Sequence, residues 1–270
     1  MHARRRLGAA LYDDAMAAAD HTTPEQSGTG EAAPNADRVA VDGALIAEVY
    51  RLGVEGGPRD LPRHRHDLSR EQVETNQRAR IILATAEAVT EHGYARTTTR
   101  DVIERAGVST KTFYAHYGGK EEAFLAGYTL LDSALLSMAD QPISTTAPRT
   151  DLRAHVTRGL QAVAAWPLFT RMRLVEGRAA GRVAEERRIA MAMVQVDQFM
   201  RAVEVARAHD PRVGTPSRAA VELLFAGMSE MLGRHTLAHG PETLPELAPV
   251  FIEAIERILY EDPPAYVDGE

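Results

Sequence analysis

Apolar residues at helical spacing organise most of this chain. Leu45, Ile46, Val49 and Leu52 recur at three- and four-residue intervals and predict a short amphipathic helix between Asp42 and Gly53, stopped by Gly56, Gly57 and Pro58. From residue 71 the same period continues between short Gly, Pro or Thr breaks. It predicts helices near 71–92, 99–106, 110–116, 120–139, 150–165, 168–179, 182–209, 216–239 and 245–260. No segment alternates convincingly with period two, so the expected fold class is all-α. Three helices followed by six longer ones suggest a division near Gly119, and no internal repeat is present.

The polar positions around the second and third of these helices sharpen the picture. On the first, Ile81, Ala84, Thr85, Ala88 and Val89 share a face, and Gly93 suits the position that ends it. Thr98 and Asp101 have the spacing of a capping box, with Val102, Ile103 and Ala106 on the buried face behind them. Gly107 ends that helix, Val108 turns inward and Ser109 caps the next. A helix, a tight turn containing glycine and a capped short helix form the helix-turn-helix pattern. On the third helix Phe113 and Tyr117 are expected in the core, while Thr110, Lys111, Thr112, Tyr114 and His116 project outward. That outer set holds hydroxyls, one cation and one imidazole but no carboxylate, a combination suited to phosphate oxygens. Lys120 falls in the first turn of the following helix, where free backbone N–H groups also favour an anion.

Composition supports a soluble globular chain, with 44% apolar and 26% charged residues over 270 positions. The length suits two modest domains, or one domain with a long arm. There is no cysteine, which excludes disulfide scaffolds, thiolate zinc sites and cysteine nucleophiles. The net charge of −7 weighs against a nucleic-acid partner when taken alone. Its distribution weighs the other way: residues 57–120 carry eleven Lys and Arg against eight Asp and Glu, and residues 105–120 carry three cations and no acid. The only two lysines, Lys111 and Lys120, both fall in that last stretch. Arg4, Arg5 and Arg6 precede an apolar stretch as in a secretory leader, but Asp13 and Asp14 interrupt it early. No run approaches the roughly 18 apolar residues of a membrane span, so the expectation is a cytoplasmic chain with no membrane partner. Residues 21–38 read as a flexible linker and residues 59–70 as a basic arm, which either follows DNA or is a solvated linker. His64 and His66 in that arm lack the carboxylate partner a metal site would need.

The stretch RARIILATAEAVTEHGYARTTTRDVIERAGVSTKTFYAHYGGKEEAF resembles the DNA-binding domain of the tetracycline-repressor (TetR) family over about 45 positions. The Gly-Tyr, Thr-Thr, Ala-Gly-Val-Ser, Phe-Tyr-x-His-Tyr and Lys-Glu landmarks are in register. Ile103 departs from the pattern where a small alanine is frequent, and Gly119 replaces the usual Ser or Asn cap of the fourth helix. Glycine is acceptable as an N-cap. The resemblance implies that Thr98, Thr99 and Arg100 open the supporting helix at the DNA surface. It further implies that Thr110 and Lys111 reach base edges and that Thr112, Tyr114, His116 and Lys120 hold phosphates.

The C-terminal half shows no Ser-His-Asp, paired-carboxylate or glycine-loop arrangement, and His155, His209, His235 and His239 are scattered along it. No enzyme activity, cofactor or metal is expected. Met172, Met191, Met193, Met200, Met228 and Met231, with Trp166, Phe169 and Phe199, suit either ordinary core or an adaptable apolar pocket. The last two long helices carry apolar faces through Val221, Leu224, Phe225 and Met228, then Phe251, Ile255 and Leu259. They are similar to the family's dimer interface, or are internal core. The expected organisation is an N-terminal extension at 1–70, a helix-turn-helix domain at 71–119, a ligand-binding and dimerisation domain at 120–262 and a tail at 263–270. The function expected is that of a homodimeric transcriptional regulator, a repressor released from a palindromic double-stranded DNA operator by a small-molecule ligand. Ligand response and dimerisation rest here on the resemblance and on a bundle larger than DNA binding needs. The alternatives are an activator or ligand-independent regulator of the same fold, and a helical enzyme or scaffold whose helix-turn-helix is a relic.

Overall fold

The computed structural model of the chain describes residues 43–57, 68–139 and 148–260. Among these residues every regular element is helical. The helices are α1 (Gly43–Gly53), α2 (Arg70–His92), α3 (Thr99–Ala106), α4 (Thr110–His116), α5 (Lys120–Ala139), α6 (Pro148–Ala165), α7 (Pro167–Arg171), α8 (Arg182–His209), α9 (Arg218–His239) and α10 (Ala248–Leu259). The linker read at 21–38, the arm at 59–70 except its last three residues, the pair His64 and His66, and the tail at 263–270 lie outside the described residues. No helix among the described residues is long and apolar enough to cross a membrane.

α1 forms where the apolar spacing predicts it. Leu45, Ile46, Val49, Tyr50 and Leu52 are all buried, each worth about 1.5–3 kcal/mol when fully removed from water. The helix packs along α2, and Glu48 accepts a hydrogen bond from Asn76 Nδ2 at 2.6 Å. Beyond α2 it reaches the body, where the Tyr50 and Trp166 rings lie 5.5 Å apart. One apolar core therefore runs from α1 through Ile81, Ile82 and Phe113 to Phe124, Tyr128 and Phe169, passing residue 119 without a gap. Two further clusters fill the far end of the body around Val203, Ile255 and Leu259 and around Leu160 and Phe251. Fully buried Glu256 ties α10 to α6 through ion pairs with Arg153 at 2.6 Å and Arg149 at 3.0 Å.

Two expected helices are broken. The segment expected as one helix at 168–179 is α7, then a π-helical turn over Met172–Glu176 and a 3-10 turn over Gly177–Ala180. Tight packing against α5 accompanies this change of winding. A Cβ on Gly177 would lie 3.1 Å from the Tyr128 ring, and one on Gly127 of α5 would lie 3.0 Å from Met172 Cε. Two glycines thus let the π turn and α5 approach closely. The helix expected from residue 245 starts instead at Ala248, after a 3-10 turn over Pro241–Leu247 that contains Pro245. Proline has no N–H to continue an α-helical ladder.

Candidate functional site

The ends of α3 are held from both sides. Thr98 Oγ1 accepts from the backbone N–H of Asp101 at 3.2 Å, while the Asp101 carboxylate accepts from the backbone N–H of Thr98 at 2.8 Å. The capping box read from the spacing is thus complete. At the other end Gly107 is left-handed, with φ +61°. Arg80 of α2 crosses there and donates to the carbonyls of Ala106 and Gly107 at 2.9 and 2.8 Å, placing a cation at the negative end of α3. Ser109 then caps α4 by accepting from the backbone N–H of Thr112 at 3.0 Å. α4 is pinned by Phe113, which is fully buried, by Tyr117, which is nearly so, and by His116 Nε2, 2.9 Å from Gln77 Oε1. Burial and then Arg78 lower the His116 pKa, which favours the neutral ring.

Thr98, Arg100, Thr110, Lys111 and Tyr114 are exposed, and Thr99, Thr112, His116 and Lys120 are half-buried. Lys111 has no ion-pair partner among the described residues. Tyr114 keeps 55% of its surface open while its ring edge meets Phe113. The two acids of α3 are engaged: Glu104 by Arg100 at 2.7 Å and Asp101 by Thr98. Lys120 is arranged differently. Its ammonium donates to the carbonyls of Tyr94 and Thr97, each at 2.8 Å, and stands 4.1 Å from the centre of the Tyr94 ring. Burial lowers its pKa. Two of its three N–H bonds are used to hold the α2–α3 loop, which leaves one for another acceptor.

The body contains a cavity of about 510 Å³, enclosed by α6, α8, α9, α10 and the π turn. Its walls include Val163, Val196, Phe199, Phe225 and Met228, with Arg173 and Leu174 contributed by the π turn. Of the aromatic and methionine residues noted in the sequence, Met193, Met228 and Phe199 line the cavity, whereas Met172, Trp166 and Phe169 lie in the first core. The faces of the last two helices also turn inward, since Val221, Phe251, Ile255 and Leu259 are buried within the chain. Exposed large apolar residues on α9 are Leu223 and Leu237. Of the scattered histidines, His155 lines the cavity, His235 and His239 adjoin on α9 with ring centroids 4.8 Å apart, and His209 is exposed. Among the described residues no group of three His, Cys, Asp or Glu side chains could hold a metal ion.

Two part-buried contacts give the π turn its position. Arg173 Nε donates to Asp132 Oδ1 of α5 at 2.6 Å, and Glu176 accepts from the backbone N–H of Tyr94 at 2.9 Å. Asp132 is fully buried, and the burial raises its pKa against the opposing pull of Arg173. One five-residue turn therefore lines the cavity and also caps the loop that leads into α3. Arg80, Gln77, Tyr94 and Glu176 were not readable as site residues, because the groups they meet are 26 to 82 residues away in sequence.

Residues 81–126 match the family model described as bacterial regulatory proteins, tetR family. No curated protein matches the chain. Among solved structures, the SmeT–triclosan complex superimposes with a TM-score of 0.56 at 21% identity, covering 72% of this chain and 99% of that one. The TetR family transcriptional regulator PfmR from Thermus thermophilus superimposes with a TM-score of 0.52 at 22% identity, covering 68% of this chain and 98% of its own. At these identities the likeness concerns the fold, and more than a quarter of this chain has no counterpart in either structure. Because the matched segment spans the capped helix-turn-helix itself, residues 81–126 are similar to the DNA-binding domain of bacterial regulatory proteins of the tetR family, and that domain makes the chain a DNA-binding transcriptional regulator.

Proposed function

We propose that this chain is a homodimeric repressor, released from a palindromic operator when a small molecule enters the cavity of its body. The observation that carries this reading is the double role of the π turn. Arg173 and Leu174 line the cavity, and Glu176 caps the loop that leads into α3. A molecule that fits the cavity better in one arrangement of this turn biases the orientation of the helix-turn-helix by its difference in affinity for the two states. Couplings of this kind typically amount to 5–150-fold in the affinity of the second site. SmeT, which shares the fold, is described in complex with triclosan, and that supports a ligand in this cavity.

In this reading residues 71–119 bind DNA and residues 120–262 bind the effector and the second copy. Thr110 and Lys111 read base edges, Thr98, Thr99 and Arg100 meet the backbone at the start of α3, and Thr112, Tyr114 and His116 hold phosphates. Lys120 serves a phosphate with the N–H that the loop carbonyls leave over. The second copy docks along α9, where Leu223 and Leu237 are 76% and 63% exposed. They stand fourteen residues apart, about four turns, and so share a face. Exposed Ala226 and Gly227 lie between them and let a second helix approach closely. A two-fold axis there would set two α4 helices about 34–36 Å apart, one DNA turn.

Selection of bound sequences from a random DNA pool tests the reading, with anisotropy titrations on the selected duplex. A palindrome is expected, and Lys111→Ala with Tyr114→Ala should abolish binding while leaving helicity unchanged. Absence of sequence-selective binding at moderate salt, or binding retained by that double variant, would sink the proposal.

A further inference from the structure

The polar residues of the cavity indicate what it receives, an argument that rests on the reading of the cavity as an effector site. Its walls are largely apolar, and most of its charged residues are already satisfied. Glu222 is half-open and bound by Arg218 at 2.9 Å. Arg188 is held by Glu185 through two bonds of 2.9 and 2.6 Å. His155 is pushed toward the neutral form by burial and then by Arg158.

Arg173 is the exception. Its side chain is only 12% exposed, and its one hydrogen bond among the described residues is from Nε to Asp132 Oδ1. The two terminal amino groups of its guanidinium therefore have no hydrogen-bond partner among the described residues, although the residue lines the cavity. Arg173 and Arg187 both act on Asp132, Arg188 acts on Arg173, and Glu185 and Glu230 act in turn on Arg188. Arg187 Nε is itself buried without a hydrogen bond. Arg173 and Arg188 are the two guanidinium groups that line this largely apolar cavity. A planar guanidinium with two free amino groups matches a carboxylate in geometry as well as charge.

We propose that the cavity binds an apolar molecule bearing a single carboxylate, with the carboxylate seated on Arg173 and the body among Val163, Val196, Phe199 and Phe225. A volume of about 510 Å³ suits a drug-sized body. An alkyl chain and an aromatic ring system both meet that description, and the test separates them.

Calorimetric titration of the full chain, without DNA, would compare dodecanoate, biphenyl-4-carboxylate, methyl dodecanoate and dodecylammonium. At least one carboxylate should bind about tenfold or more tighter than the ester, the ratio that one charge-assisted contact provides. Dodecanoate winning marks an alkyl effector and the biphenyl acid an aromatic one. The paired variant Asp132→Asn with Arg173→Gln removes the buried ion pair as a unit. It should lose the preference for the acid, read as the ratio of acid to ester affinity within the same variant, while Arg173→Lys keeps part of that ratio. Ester and acid binding equally well, tightest binding of dodecylammonium, or an acid preference that survives in the paired variant would each overturn the inference. Operator release is scored separately. An acid that binds without changing operator affinity overturns the release proposed above and leaves this inference standing, whereas release by the ester alone does the reverse.

Discussion

Lys120→Met separates two tasks that one side chain is positioned to perform. The ammonium donates to the carbonyls of Tyr94 and Thr97 at 2.8 Å and lies over the Tyr94 ring. A hydrogen bond from a charged donor contributes about 1.5–3 kcal/mol, and a partly open cation–π contact about 0.5–1 kcal/mol. Burial opposes these gains, since it lowers the lysine pKa and so disfavours the charged form in the folded chain. Methionine keeps most of the stem but offers the two carbonyls nothing. The balance is a loss of about 2 kcal/mol, to be read in urea unfolding as a lower midpoint at constant slope. The DNA role has a separate signature. Each phosphate neutralised contributes about 0.9 to the slope of log affinity against log salt, so a dimer losing both lysines should lose about 1.8. Unchanged stability would refute the carbonyl contacts. A stability loss with an unchanged salt slope would remove Lys120 from the phosphate-binding set and leave it as the brace of the α2–α3 loop.

Two further outcomes test the fold around the sites. Arg153, and with it Arg149, holds the Glu256 carboxyl at about 2, below its ordinary value of 4.5. Glu256 should therefore stabilise the fold fully above about pH 4.5, and that contribution should fade as the pH falls toward 2. The difference between 4.5 and 2 corresponds to about 3 kcal/mol. The two guanidinium groups are 35% and 45% exposed, so Glu256→Gln should cost nearer 2 kcal/mol at pH 7. The cost should shrink in unfolding curves at pH 3, and a pH-independent cost would refute the assignment. Gly107→Ala places a side chain at φ +61° and a Cβ 2.7 Å from Arg80 Nη2. It should lower stability by about 1–2 kcal/mol and weaken operator binding, and a thermal midpoint equal to wild type would show that the α3–α4 turn tolerates the change.

The helix-turn-helix was legible because its determinants are local. Thr98 and Asp101 lie three residues apart, Ser109 and Thr112 likewise, and Gly107 stands at the turn, so each cap closes within one turn of backbone. Phe113 and Tyr117 read as core because helical periodicity places them on one face, and they are buried. The same periodicity left the last two helices open between a dimer interface and internal core. It identifies an apolar face but not what covers it, and Val221, Phe251 and Ile255 pack inside the chain rather than outside it. The break at Met172–Glu176 was invisible for a related reason, since the residues are ordinary helix formers and the close approach comes from Gly127 and Tyr128 on another element.

Sequence alone thus determined the helical class, most of the helix boundaries and the capped unit from Thr98 to His116, all of which depend on neighbours within a few residues. Tertiary structure alone decided how α1 clasps α2 and Trp166, how Arg80 reaches the end of α3, and how the π turn joins a cavity to the Tyr94 loop. Those contacts link groups that chain order leaves far apart. Only packing determines which buried charges find partners, and Arg173, which lines the cavity, is held among the described residues by a single hydrogen bond to Asp132.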